Sequence, residues 1–307
     1  MNLQPDAPLT VLVPLDGSER AEAVLGLATA LARKSAGRLV LVTVPEVYGM
    51  DVAWYTEGSP DAAALVPMSD LLAQARSERE AYLSTVVDRL RADGINVTQV
   101  LAEADPADAI IKAAADHGAQ LIAMTTHGRS GFDRWAFGSV TDKVLQTAGL
   151  PVLLERAGTG APHELTHLLV ALDGSEHAEE ILPIAAAMAH AFGARLSLVH
   201  VTPEASVRGD LAKLSAAEAD YQARMTGYLA EQVTPLTAAG LDAEGQLLAG
   251  DNTAAVLLER TEHHDVDLVA LTTHGRSGLK RLAYGSVADR LIRHSPKPLL
   301  VVRNSEK

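Results

Sequence analysis

Residues 125–131 read TTHGRSG, and residues 272–278 read TTHGRSG again, letter for letter. The echo extends outward on both sides. Downstream, Phe137-Gly138-Ser139-Val140 is answered by Tyr284-Gly285-Ser286-Val287. Upstream, VLVPLDGSE at 11–19 is answered by LLVALDGSE at 168–176. Self-similarity on this scale marks a duplicated structural unit. Asp16 and Asp173 stand 157 positions apart, whereas Gly138 and Gly285 stand 147 apart, so copy one carries about ten extra residues. The Gly/Pro/Asp-bearing stretch 45–67 is where they are expected. The copies meet near 156–162, where AGTGAP forms a short linker of breaker residues. Two domains are expected, 1–157 and 163–307.

Within a copy, short apolar runs alternate with longer helical patterns, as in a parallel sheet wrapped by helices. Copy one reads as strands at 10–15, 38–44, 95–102, 119–125 and 151–155. Helices are expected at 19–35, 68–92, 106–117 and 139–148, and copy two follows the same order. The run LIAMTT at 121–126 is almost wholly apolar, as a strand covered on both faces requires. Gly37, Gly94 and Gly118 follow helical segments, where a left-handed cap is wanted. Pro183 falls inside the first helix of copy two and predicts a kink there. The fold class is doubly wound α/β, twice over.

Composition narrows the partners. The 307 residues suit two domains, and 48% hydrophobic content is ample for packed cores. Cysteine is absent, which removes disulfides, thiolate catalysis and Cys-ligated zinc. The net charge is −13, divided as −7 over the first 157 residues (13 basic against 20 acidic) and −6 over the rest (13 against 19). Neither copy is a basic module, and aromatics make up only 4%, so nucleic acid is not an expected partner. No apolar stretch is long enough to span a membrane. The opening MNLQPDAPLT lacks the features of a secretion signal, and a cytoplasmic location is expected.

Both repeated signatures fall at strand C-termini, where ligands sit in such sheets. Gly138-Ser139 and Gly285-Ser286 each open a helix. Free N–H groups, a hydroxyl and the helix dipole there suit a phosphate. The same letters also serve if Gly merely ends the loop and Ser caps the helix. Asp16 and Asp173 carry a similar alternative, as first-turn or N-cap residues.

In its strand-end LDGSE, its second-strand endings Val44 and Val201 and its G-x₉-G-S loops, the chain resembles a tandem universal stress protein over nearly its whole length. The resemblance implies two Rossmann-like domains, each a five-stranded parallel sheet of order 3-2-1-4-5. It also implies ATP, with Mg, held in each crevice. Asp16 and Asp173 would then lie near the ribose and any metal, and Pro14 would be among the binding residues of copy one. Val44 and Val201 would offer backbone groups to adenine. Gly128, Gly138, Ser139 and Val140, and Gly275, Gly285, Ser286 and Val287, would cradle the phosphates, with Arg129 and Arg276 as charge partners. The family's nucleotide-binding pattern begins with a further glycine, and Thr125 and Thr272 stand in its place. Ala171 is a second departure, opposite Pro14.

The last strands, PVLLE at 151–155 and PLLVV at 298–302, would lie at sheet edges in the family order. Such apolar edges need covering, which predicts that they pair with each other about a pseudo-two-fold axis. A further homodimer and an unidentified protein partner stay open. The window 274–293 holds five basic residues against one acidic, and 127–143 holds three against two. On charge alone a triphosphate would favour copy two.

His163-Glu164-Leu165-Thr166-His167 fits H-E-x-x-H, but it runs straight into a strand, where positions four apart are about 13 Å apart. The loop histidines His127 and His274 find no acid partner in the sequence. Neither G-x₄-G-K-[ST] nor G-x-G-x-x-G occurs, so P-loop and dinucleotide redox chemistry are not indicated. No catalytic residue is assigned. The expected activity is nucleotide-dependent regulation or sensing in a stress response, with a nucleotide-free interaction module and a slow ATPase as alternatives.

Overall fold

The computed structural model describes residues 7–45, 68–126, 138–158, 164–202, 216–262, 265–273 and 284–303. Gly128, Arg129, Gly275, Arg276, the loop histidines His127 and His274, His163 and nearly all of the extra stretch of copy one lie outside these residues. Domain one comprises β1 (Thr10–Pro14), α1 (Glu19–Glu22), α2 (Leu25–Lys34), β2 (Arg38–Thr43), α3 (Met68–Ala92) and β3 (Val97–Leu101). It continues with α4 (Pro106–Asp116), β4 (Leu121–Thr125), α5 (Ser139–Thr147) and β5 (Val152–Glu155). Domain two repeats the series with β6 (His167–Ala171), α6 (Glu176–Glu179), α7 (Leu182–Phe192), β7 (Arg195–Thr202) and α8 (Ala216–Ala238). After these come β8 (Ala243–Ala249), α9 (Thr253–Glu262), β9 (Leu268–Thr272), α10 (Ser286–His294) and β10 (Leu299–Val302).

All ten strands join one sheet of order β3-β2-β1-β4-β5-β10-β9-β6-β7-β8. Each half is parallel and ordered 3-2-1-4-5, with β1 or β6 flanked by strands two and four. The halves meet through antiparallel pairing of β5 with β10, Leu153 facing Leu300. The two apolar edges therefore cover each other, as their composition predicts. The antiparallel seam also sends the strand C-termini of the two domains toward opposite ends of the sheet.

The sheet has a core on each face. On one face, a single cluster runs across the seam and includes Leu27, Leu31 and Leu153 of domain one with Ile184, Met188 and Leu300 of domain two. The other face holds Ile110, Val144 and Leu154 with Leu257, Leu291 and Leu299. Burial of this kind contributes roughly 1.5–3 kcal/mol per fully buried aliphatic side chain. Polar contacts reinforce the join: Lys34 of α2 pairs with Glu164 at 2.8 Å and lies over the Phe192 ring of α7.

Three local expectations need correction. The helix expected over 19–35 is two helices, α1 and α2, and the same break separates α6 from α7. Pro183 sits in the first turn of α7, a position that tolerates it, so it kinks nothing. Domain one breaks in the same place without a proline, so the break belongs to the architecture. Gly94 and Gly118 adopt the left-handed conformation as expected, but at the end of α2 that conformation falls to Ala36, at φ 51°. Gly37 is required for proximity instead: a Cβ there would stand 2.0 Å from the Leu9 carbonyl oxygen.

Glu155, at the end of β5, is 4% exposed, and its Oε2 has no hydrogen-bond partner among the described residues. The equivalent of Glu155 in domain two is the apolar Val302. Burial raises the Glu155 carboxyl from 4.5 to about 7. A raised acid favours the neutral form, so the stability it leaves intact below pH 4.5 is lost as pH rises through about 7. Glu155→Gln is expected to be more stable than wild type above pH 7, the gap closing as pH falls toward 4.5. Thermal melts across this range would check it, and a pH-independent gap would contradict burial as the cause.

Candidate functional site

The signature LDGSE builds the same turn in both domains. The Asp16 carboxylate accepts from the backbone N–H of Ser18 at 3.0 Å and from its hydroxyl at 2.6 Å, and Ser18 Oγ accepts from Ala21 N–H. Asp173, Ser175 and Ala178 reproduce these bonds. Serine is thus the N-cap and aspartate the residue that orients it. This places both aspartates directly beyond the C-termini of the central strands β1 and β6. The carbonyl before each aspartate is also fixed: Thr43 Oγ1 donates to Leu15 O at 2.7 Å, and the His200 ring lies 2.9 Å from Leu172 O.

The Gly-Ser signature opens α5 and α10. Gly138 and Gly285 are the N-caps, in extended conformation, and neither helix has a side-chain cap. Side chains cap α1 (Ser18), α6 (Ser175) and α4 (Asp105), whereas α2 and α7, which start at Val24 and Ile181, also have no side-chain cap. The glycine N–H groups tie each helix start back to its strand, Gly138 to Thr126 O at 3.2 Å and Gly285 to Thr273 O at 2.7 Å.

In domain two these parts surround a cleft of about 290 Å³. Asp173, Val201, Gly285, Ser286 and Val287 all line it. Ala171 and Thr272, the two departures from the family pattern, line it as well. Strand order explains the convergence, because β6 lies between β7 and β9 and their C-termini open to the same side. Thr253 and Leu257 of α9 also line the cleft. No repeated motif marks these two; only their place on an amphipathic helix after the third strand could have suggested them.

Domain one places Pro14, Asp16, Val44, Gly138, Ser139 and Val140 on the equivalent strand ends and helix start. Pro14 ends β1, and Val44 lies just past β2. Thr141 Oγ1 adds a bond to Thr125 O at 3.2 Å. The domains differ in one charge that local windows miss. Arg79 of α3 crosses to the Asp16 turn, where Nη1 donates to Asp16 O at 2.5 Å and covers Gly17. Counting back from the third strand, Met225 is its equivalent in domain two. Some of the counted charges are committed elsewhere. Arg293 makes a two-pronged pair with Asp289, and Lys143 pairs with Asp105 and Asp108. Arg79 narrows the charge preference for copy two, whereas the Arg293–Asp289 pair lies wholly within the counted window and leaves its balance unchanged.

The H-E-x-x-H residues within the described structure are held in other roles. Glu164 pairs with Lys34. The His167 ring lies on β6 between the Asp265 carbonyl and Ser197 Oγ. No helix among the described residues is long and apolar enough to cross a membrane.

Comparison with known proteins agrees with this arrangement. The universal stress protein family profile matches twice, at residues 9–156 and 164–303. The chain belongs to the universal stress protein family. A universal stress protein of Mycolicibacterium smegmatis is 25% identical over 302 residues, which cover 95% of this chain and 96% of that protein. One from Mycobacterium tuberculosis is 26% identical over 190 residues, 61% of this chain and 63% of the relative's length. The chain thus spans just under two thirds of that relative. A universal stress protein structure from Archaeoglobus fulgidus superposes with a TM-score of 0.71 at 21% identity, covering 98% of both chains. That likeness concerns the fold.

Proposed function

We propose that each domain binds an adenine nucleotide, ATP with Mg²⁺, and that occupancy makes the protein a regulator or sensor in a stress response. One observation carries the reading. The two helices that start at the strand-end clefts begin with glycine and without a side-chain cap, although this chain caps α1, α4 and α6 with Ser or Asp. Unpaired N–H groups at a helix start are suited to donate to phosphate oxygens. Gly128, Arg129, Gly275 and Arg276 complete the proposed cradles, with Val44 and Val201 toward the base and Pro14 beside the ribose. Among the described residues no group of three His, Asp or Glu could hold an ion. A Mg²⁺ carried by phosphates needs only one or two carboxylates, so Asp16 and Asp173 suffice for it.

The test is direct. Protein purified without added nucleotide is acid-denatured and the supernatant examined by mass spectrometry, then apo-protein is titrated with ATP by calorimetry. Adenine nucleotide in the supernatant, or two saturable sites, is the expected result. Absence of both would favour a nucleotide-free interaction module. Phosphate release above that of a site-disabled variant would instead indicate a slow ATPase.

Arg79 makes the two sites separable. Arg79→Met gives domain one the residue of domain two and is expected to weaken ATP at domain one by roughly tenfold, the value of one charge-assisted contact. The loss should shrink with added salt. Calorimetry with domain two disabled by Gly285→Asp would check it, and an unchanged affinity would remove Arg79 from the site.

A further inference from the structure

A side chain links the start of α10 to the first turn of α5. Tyr284 immediately precedes Gly285, the N-cap of α10, and is 7% exposed. Its hydroxyl reaches across the domain boundary to Asp142 in the first turn of α5, 2.8 Å from Oδ1 and 3.2 Å from the backbone carbonyl. Burial and the neighbouring Asp142 carboxylate hold the Tyr284 hydroxyl well above its ordinary range, so it is a permanent donor. Gln146 fixes the other carboxylate oxygen, Nε2 donating to Asp142 Oδ2 at 2.9 Å.

One end of this bond is anchored in the wall of the domain-two cleft and the other in the start of α5. On one side, Gly285 N–H donates to Thr273 O, and both residues line the domain-two cleft. On the other, Asp142 N–H donates to Gly138 O at 3.0 Å, and the adjacent Thr141 donates to Thr125 O. The bond has no symmetric twin among the described residues. The sequence places Phe137, which lacks a hydroxyl, opposite Tyr284, and Asp289, the equivalent of Asp142, is held by Arg293 on its own helix. A partly buried hydrogen bond that joins two helix starts, each proposed to hold a phosphate, links the position of one to the other.

We infer that the Tyr284–Asp142 bond couples the two clefts, so that a nucleotide in one alters the order of the other's phosphate cradle. This rests on the nucleotide reading proposed above. Tyr284 is a positioning residue: it acts through Gly285 on one side and through α5 on the other. By linkage the effect is reciprocal, whichever site fills first.

Hydrogen exchange on the full chain tests it. In Gly138→Asp only the domain-two cleft is left to bind, and ATP is added at saturation. Slowed exchange is expected in the α10 amides, 286–294, and also in the α5 amides, 139–147, the latter by roughly fivefold. Adding Tyr284→Phe, which removes only the hydroxyl, should abolish the α5 response and keep that of α10. Asp142→Ala cuts the same bond from the other side and should do likewise, while Asp142→Asn, which retains an acceptor, should preserve coupling. An α10 response with no α5 response, or an α5 response that survives both Tyr284→Phe and Asp142→Ala, overturns the coupling alone. No response in α10 overturns the nucleotide reading and the coupling together.

Discussion

Leu153→Glu combined with Leu300→Glu is expected to undo the joined sheet. The two residues face each other across the β5–β10 seam, and each is fully buried. An uncompensated buried charge costs on the order of 3–5 kcal/mol, and here two like charges would stand on adjacent strands. A domain's whole stability is only about 5–15 kcal/mol. The two losses will not simply add, because the sites are in contact. Both leucines also belong to the core that runs across the two domains, so each half loses part of its own packing as well as its partner. The double variant should therefore unfold at much lower denaturant than wild type, and any folded fraction should have a larger radius by small-angle scattering. Wild-type radius and wild-type stability together would mean that the seam does not hold the halves.

That seam was legible because strand order and edge chemistry follow from short patterns. An all-apolar edge strand present twice, with a short linker between the copies, has few solutions other than self-pairing. The LDGSE turn lies in a signature legible in the sequence because its hydrogen bonds close within three residues. Features that depend on a distant element were hidden. Arg79 reaches the Asp16 turn from 63 positions away, and Tyr284 reaches Asp142 from 142 positions away. Thr253 and Leu257 enter the cleft only because β6 is placed between β7 and β9. Gly37 was visible as a special position, but for the wrong reason. Sequence marks a residue that must be small without saying whether a dihedral angle or a neighbour requires it, and here the neighbour, Leu9, belongs to another strand connection. The helix break before α2 has only a weak mark, Gly26 at the position that Pro183 holds in domain two, and tertiary packing decides it.

The glycines at the two helix starts allow stability and binding to be set against each other. Gly138 lies at φ −61°, ψ 139° and Gly285 at φ −65°, ψ 153°, conformations open to any residue. Backbone strain therefore does not require glycine at either place. Space does not forbid a side chain at Gly138, where a Cβ would meet nothing nearer than 3.8 Å. At Gly285 it would approach Thr273 O to 3.1 Å, a contact that small shifts must relieve. Aspartate is among the best N-cap residues and exceeds glycine there by a few tenths of a kcal/mol. Gly138→Asp alone should thus leave stability unchanged or slightly raised, because its carboxylate takes the N–H groups that now lack a cap. The same carboxylate occupies the proposed phosphate position with the wrong charge. Gly138→Asp combined with Gly285→Asp is expected to lower ATP affinity by tenfold or more at both sites, about 1.4 kcal/mol or greater. Calorimetry and thermal melts on the same samples check both halves of the expectation. A folded double variant that binds ATP as well as wild type would remove the helix starts from the site. A folded variant that loses ATP while keeping or gaining stability would identify what the glycines are for: a structural optimum has been left unfilled so that a ligand can fill it.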